Sequence, residues 1–499
     1  MRKDLLVKNT VASLLFQVTA IVCGFVLPRV FLQRFGSEVN GLVNSISQFL
    51  SVVSFLELGV GAVVQSSLYK PLADNDNRQI SCVVVSADRF FRRIALVLLV
   101  YVVVLMLVYP TISNQDFDGV FTAVLIGAMS ISSFAQYYFG IVDSILLTAD
   151  QRGYIQYNAQ TMALVLNTVA CVALISAGCS VQMVKLVSSL IFLIRPLVLR
   201  AYVNRRYGID RKAKYEEEPI KQKWNGVAQH VASVVLNGTD VIVLTMFSTL
   251  SNVSIYSVYY LVVSGVKTLF MSITDGFQAV LGELWAKQRL EDLDSFFGWV
   301  EWLVHTGTTF VFACTAVLIV PFVQVYTLGV NDADYVQPLF AVLLTLANAM
   351  HCMRLPYNIM VLAAGHYRQT QRNYIVAVVL NVVISVLTVE LWGLVGVAIG
   401  TLVAMAYQTI WLFVYDSKNL IRWPLKRVAK QFAVDALSAA LIAAVGGSIA
   451  FNDISYLGWI LLAVKVSSMA VVIVLSVNFI FYMDRMKQMF GRVRNRLCG

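Results

Sequence analysis

A chain of 499 residues that is 59% hydrophobic and only 13% charged, with a mean hydropathy of +0.74, lies far from the roughly 25% charged residues of soluble globular domains. Its apolar residues come in runs of about twenty, the length a helix needs to cross hydrocarbon, with none of the ten-residue alternation of a membrane barrel. Soluble enzymes and β-barrels are therefore excluded, and an all-α polytopic membrane protein with about 14 transmembrane helices is expected.

In chain order, the first run, Val11 to Leu27, follows the basic start Met1-Arg2-Lys3. No small-residue cleavage site follows it and Val22 before Cys23 does not suit a lipoprotein signal, so it reads as an uncleaved helix. The remaining spans are expected to start near residues 40, 90, 120, 157, 181, 227, 254, 300, 335, 373, 394, 430 and 456. Basic residues fall at the N-terminus and then in every second connection: Lys70 to Arg93, Arg152, Arg200 to Lys223, Lys287 with Arg289, Arg368 with Arg372, Lys418 to Lys430, and the tail from Arg485 to Arg496. The intervening loops contain none, Arg34 excepted. Short cytoplasmic loops concentrate Lys and Arg, so both termini are expected in the cytoplasm. The same loops account for most of the net charge of +10, which suits anionic lipid and lends no support to nucleic-acid binding.

The most basic loop, RAYVNRRYGIDRKAKYEEEPIKQKW, is the longest polar stretch and reads as a linker between two bundles. Sequence on either side of it repeats. ALVLNTVACVALI (163–175) matches VVLNVVISVLTV (378–389), LLTADQRGYIQ aligns with VLAAGHYRQTQ, and FLELGVGAVVQSSLYK aligns loosely with SITDGFQAVLGELWAK. An even number of spans per copy keeps both copies in one orientation, the parallel repeat found in transporters. The expected division is an N-terminal six-helix lobe (1–203), a cytoplasmic linker (204–224), a C-terminal six-helix lobe (225–416), and two extra helices with a basic tail (417–499). The alternative is chance similarity between apolar helices.

Metal and disulfide chemistry find no pattern here. The seven cysteines are scattered, odd in number and never in CxxC spacing, and the four histidines, His230, His305, His351 and His366, are dispersed. No phosphate-cradling glycine loop, HExxH or nucleophile elbow is present, and the outer loops are short and free of histidine, so no catalytic residues and no enzyme activity are expected.

The stretch VLPRVFLQRFGSEVNGLVNSISQFLSVVSFLELGVGAVVQSSLYKPLA, above all FGSEVNGL, resembles the opening of bacterial polysaccharide and O-antigen-type oligosaccharide flippases of the multidrug/oligosaccharidyl-lipid/polysaccharide (MOP) exporter superfamily. LNVVISVLTVELWGLVGVAIGT resembles the family's pattern of asparagine in one helix and glycines in the next. The resemblance implies a two-lobed transporter in the bacterial cytoplasmic membrane that moves undecaprenyl-pyrophosphate-linked oligosaccharide between leaflets by alternating access. It implies as partners the lipid-linked oligosaccharide, membrane lipids, a polysaccharide polymerase and glycosyltransferases, with no cofactor beyond a coupling proton or sodium ion. A multidrug exporter of the same superfamily and a membrane glycan polymerase or acyltransferase are the alternative readings.

Six basic residues remain inside spans once loop charges are set aside: Arg29, Lys185, Arg195, Lys267, Arg354 and Lys465. Charges there are costly and seldom purposeless. Lys267 lies about 20 Å below the outer end of its span, too deep to snorkel easily. Lys185 and Lys465 are placed to snorkel, and Arg195 divides evenly between snorkelling and function. A bundle that carries a diphosphate needs cations in its lumen, as Arg forks or Lys point charges. Arg29, Lys267 and Arg354, with Arg195, are the candidates for pyrophosphate binding, against the alternative that they pair with Glu57, Asp240, Asp275 or Glu283. Intramembrane carboxylates can in turn carry protons or sodium; Asp240, in LNGTDVIVL, leads Asp275, Glu57 and Asp143, the last of which is equally suited to capping a helix end.

Overall fold

The computed structural model describes residues 3–113, 117–213, 215 and 227–487. Every regular element among them is helical. In chain order these are α1 (Lys3–Ser51), α2 (Phe55–Ala73), α3 (Asn77–Ile112), α4 (Gly119–Ala149), α5 (Gly153–Ser176), α6 (Val181–Tyr207) and α7 (Val227–Phe247). Then come α8 (Leu250–Ala286), α9 (Leu290–Tyr326), α10 (Pro338–Ala363), α11 (Tyr367–Trp392), α12 (Leu394–Asn419), α13 (Leu425–Gly447) and α14 (Tyr456–Phe481). Twelve helices are long and apolar enough to cross a membrane, with α1 counted as one and α7 supplying a shorter apolar run, Gly238–Phe247. The chain is thus an all-α, multi-pass membrane protein. Thirteen of the fourteen expected starting points fall in helices, the second of them within α1, while the one near 335 falls in the connection three residues before α10.

The reason for that last placement is Gly36. Its φ of 80° and ψ of 177° interrupt α1, a conformation that glycine tolerates and β-carbon-bearing residues avoid. Pro28, beside Arg29, lies inside the helix, and the break falls eight residues later. Helix starts follow local capping: Asp76, Asp118, Ser180 and Ser455 each accept from the backbone N–H three residues on, satisfying a donor that the first turn otherwise leaves open.

The described chain forms two compact units that part between Ser254 and Ile255. The first holds α1 to α7, with α7 packed on α1 and α2. Of the sequence boundary at 204–224, residues 204–207 complete α6, and 214 and 216–224 lie outside the described residues. Packing inside the units repeats: α4 contacts α3 and α6, and α5 contacts α6, just as α10 contacts α9 and α12, and α11 contacts α12. The pairs lie 214 residues apart at Val165-Leu166-Asn167 and Val379-Leu380-Asn381. The last two helices pack on α9 and on each other. Ala313, Cys314 and Leu318 of α9 meet Ile442 of α13 and Leu462, Val466, Ala470 and Val474 of α14 in one apolar cluster, and Trp302 donates from Nε1 to Asn478 Oδ1 at 2.8 Å.

The two motifs that carry the family resemblance are packing devices. In FGSEVNGL, Asn40 donates to Ser254 Oγ at 2.7 Å, and a β-carbon on Gly41 would lie 1.8 Å from the Leu250 carbonyl oxygen. Three residues on from Leu42, Ser45 accepts from Tyr109 and Thr245, each at 2.7 Å. In the later motif, Asn381 donates to Thr401 Oγ1 at 3.0 Å and Thr388 to the Gly396 carbonyl at 2.9 Å. β-Carbons on Gly396 and Gly400 would lie 2.4 Å from the Thr388 carbonyl oxygen and 2.2 Å from Ser385 Oγ. Small residues permit this approach, and in lipid close backbone packing plus interhelical hydrogen bonds replace the hydrophobic drive.

Candidate functional site

In the first unit a cavity of about 630 Å³ opens among α1, α4 and α6, lined by Ser47, Ser51, Ser132, Ser133, Ser188, Ser189 and Gln136, with Lys185 and Arg195. Two helix irregularities shape it. α4 widens to a π-turn over Gln136–Gly140, and α6 breaks at Leu193, where Pro196 denies the preceding turn a backbone donor. The two meet, since a β-carbon on Gly140 would sit 2.7 Å from Pro196 Cβ. With the Gln160 amide turned oxygen-first, Arg195 donates to it from both terminal nitrogens at 3.1 Å. Lys185, expected to snorkel, instead lines this cavity with its ammonium 4.7 Å from the Phe31 ring. No carboxylate lines the cavity among the described residues, so its polarity is that of hydroxyls, amides and cations.

In the second unit α10 is interrupted at Arg354, which stands between the segments Pro338–Met353 and Leu355–Ala363. Pro356 has no backbone N–H to donate to the turn before it. Arg354 is 6% exposed. Its Nη2 lies 3.0 Å from His351 Nδ1, whereas Nε and Nη1 have no acceptor among the described residues. Lys267, 8% exposed, donates to Tyr260 Oη at 3.1 Å and lies over that ring at 5.3 Å. Both cations act electrostatically on His351 and on Cys352. Structure therefore brings together two of the sequence candidates, Lys267 and Arg354, about one histidine that sequence reasoning passed over.

The other candidates are dispersed. Arg29 is half-buried in α1 and is not among the residues lining the first-unit cavity. Asp240 is buried in α7, and the space left by Gly238 is taken by Gln48, whose Nε2 would lie 2.1 Å from an added β-carbon. The side chains of Glu57 and Asp275 lie outside the described residues. Glu283 pairs with Lys287 on an exposed helix face. Asp143 is 1% exposed and tied to Arg211, whose Nη2 lies 2.8 Å from Asp143 Oδ1 while Nη1 reaches Asp88 Oδ2 at 2.9 Å. Burial works against the charge of Arg211, yet Asp143 and Asp88 outweigh it and hold the guanidinium above its ordinary range. This is the helix-end structural role, with a guanidinium in place of a backbone cap.

Two interrupted helices, α4 and α10, occupy matching places in the internal repeat, and each interruption borders the cations of its own unit. Discontinuous helices in corresponding positions of two halves are the usual mark of transporter binding sites. No family model matches the chain, and no curated protein sequence matches it. Solved structures do match. Lipid II flippase MurJ in an inward closed conformation aligns with a TM-score of 0.72 at 12% identity, over 96% of this chain and 99% of that one. The inward-facing conformation of a multidrug resistance MATE family transporter of the MOP superfamily aligns with a TM-score of 0.66 at 14% identity, over 80% and 95%. A MATE structure in complex with MaD3S gives 0.56 at 13% identity, over 83% and 96%. Identities this low speak for the fold alone, and the fold is the one these MOP flippase and multidrug transporter structures share, as the sequence resemblance implied.

Proposed function

We propose that this chain translocates a lipid-linked, pyrophosphate-bearing oligosaccharide across the bacterial cytoplasmic membrane by alternating access, with both termini in the cytoplasm. The observation that carries the reading is Arg354. A buried guanidinium with two donor nitrogens unspent among the described residues is expensive unless a ligand completes it, and a second cation, Lys267, acts on the same His351. A diphosphate offers the oxygen acceptors and the negative charge that such a pair binds, Arg as a fork and Lys as a point charge. The first-unit cavity, with its hydroxyls, Lys185 and Arg195, is the same chemistry in the other half. A likeness to the lipid II flippase in fold supports this assignment, and the repeated helix packing within each unit supports two lobes built on one plan. Arg29 is retained as a third cation for the cargo, and polysaccharide polymerase and glycosyltransferases as the enzymes that make and consume it.

The multidrug reading has the MATE likeness in its favour, but a cationic drug would be repelled by Lys267 and Arg354. Complementation of a deletion strain separates the two. Lys267→Ala and Arg354→Ala should each abolish surface polysaccharide with membrane abundance unchanged, and Lys267→Arg should retain part of it. Full polysaccharide from both alanine variants would refute the pyrophosphate reading. Drug resistance conferred by the wild type and raised by the alanine variants would establish the multidrug one.

A further inference from the structure

A separate nest of ionisable groups lies where α9, α12 and α13 meet the second half of α10. Glu301 and His305 sit one turn apart on α9, 4% and 0% exposed. The Tyr357 hydroxyl donates to Glu301 Oε1 at 2.7 Å and lies 3.4 Å from His305 Nε2. His305 Nδ1 is 2.7 Å from Asp435 Oδ2, and Asp435 Oδ1 accepts from Gln431 at 3.0 Å. Asp416 on α12 is 1% exposed, feels the charge of Glu301, and has no donor to either carboxylate oxygen among the described residues. The surrounding groups are Arg427 and Arg485 toward Glu301, Tyr482 toward Glu301 and Asp435, and Tyr374 and Tyr415 toward Asp416. Arg427 is itself shared with Asp294 at 3.9 Å. No three of these groups form a metal-binding set among the described residues.

Three buried carboxylates share one imidazole. Even with His305 protonated the nest is two positive charges short of neutral, and the nearby arginines are only partly available to it. Asp416 gives the sharper argument. An ionised carboxylate buried without a single donor loses several kcal/mol of hydration with nothing in return, and Glu301 repels it further. Taking up a proton removes that charge and creates a donor.

We propose that Asp416, Glu301 and His305 form a proton-exchange site, in which a proton taken from water resides on the Asp416–Glu301 pair and His305–Asp435 remains a charge-compensated partner. Protonation of Asp416 converts a bare carboxylate to a carboxylic acid, and release returns the proton to water, with no other bond made or broken. Tyr357 connects the site to the interruption at Arg354, three residues earlier on α10. When Glu301 is ionised it accepts from Tyr357 strongly; when it is protonated that bond weakens and the half-helix Leu355–Ala363 is freed to shift. That coupling to cargo rests on the transporter reading above, whereas residence of the proton does not.

The test uses purified full-length protein without cargo, so that its outcome is independent of the flippase assignment. Infrared difference spectra are recorded as pH is varied between about 5 and 9, a range in which ordinary exposed carboxylates stay ionised. The wild type should show a protonated-carboxyl C=O band that disappears as pH rises, with the same midpoint in sodium and potassium buffers. Asp416→Asn should remove the band, Glu301→Gln should shift its midpoint downward by relieving repulsion, and the exposed-face control Glu283→Gln should leave it unchanged. A wild type with no titrating carboxyl band overturns the proposal without recourse to any variant. So does a band that survives in Asp416→Asn with its midpoint unmoved in Glu301→Gln, and so does a band that sodium displaces.

Discussion

Each unit buries a carboxylate at one matching place, Asp88 in the first and Glu301 in the second, and the two are neutralised in different ways. Asp88 and Asp143 of the first unit stand 213 and 214 residues before Glu301 and Tyr357 of the second, close to the spacing of the internal repeat. In the first unit Arg211 bridges both carboxylates. Its pKa lies above the ordinary arginine value, so the stabilisation it contributes is complete at any pH below that of a free guanidinium and is lost only above it, far outside the physiological range. The second unit has no such bridge among the described residues. It has His305, the side chain whose ordinary pKa lies nearest neutrality, and an Asp416 with no donor among the described residues. The difference teaches that the first unit satisfies its buried carboxylates with a permanent guanidinium, whereas the second meets its own with an imidazole and leaves Asp416 without a donor among the described residues.

The largest effect should come from removing the lock. Arg211→Ala strands two buried carboxylates against each other, a loss of about 3–5 kcal/mol. It should appear as a collapse in membrane abundance and in the midpoint of thermal unfolding in detergent, with Arg211→Lys intermediate. An abundance equal to wild type would mean that the bridge is ornamental and the contrast between units is empty.

Next in size is a matched pair of neutralisations. Asp143→Asn should lose the charge-assisted bonds to Arg211, a cost of about 1.5–3 kcal/mol. Asp416→Asn, which replaces a carboxyl that has no donor to lose, should change stability by less than about 1 kcal/mol. Equal melting shifts in the two variants would erase the asymmetry.

Packing differs between the units in the same spirit. α11 and α12 approach across Gly396 and Gly400, whereas the first unit carries Gln182 and Leu186 at the corresponding 214-residue offset. Gly400→Ala should cost about 1–3 kcal/mol by overpacking, while Leu186→Ala should leave the α5 and α6 backbones where they are. Thermal unfolding of the two variants compares them directly. The smallest effect is expected at Glu283, half of an exposed pair with Lys287: Glu283→Gln should leave the melting midpoint within experimental error, as solvent-screened pairs usually do.

How legible each feature was depended on its contrast with its surroundings. Lys267 and Arg354 stand out as charges in apolar runs, and structure brings both to His351. Glu301 and His305 carried a usable signal too, an i, i+4 pair of ionisable residues inside FFGWVEWLVH, and Asp435 interrupts the equally apolar AVDALSAAL. Nothing in their spacing ranks them above Asp240, Asp275, Glu57 and Asp143, the other intramembrane carboxylates, because partner and burial are not written along the chain. Lys185 differs from its sequence expectation for another reason: depth along a helix indicates how far a side chain must reach to water but not whether a cavity meets it first.

Sequence by itself determined the class of the molecule, because the length of an apolar run and the absence of loop-side charge are properties of contiguous residues that lipid reads directly. It also determined the two glycine and asparagine motifs and the internal repeat. Which charges are compensated was decided only by tertiary structure. Arg211 reaches Asp88 across 123 positions and Asp143 across 68, His305 reaches Asp435 across 130, and Asp416 is buried with no donor among the described residues. Coulomb energy and desolvation depend on separation and burial in three dimensions, and neither is a function of position along the chain.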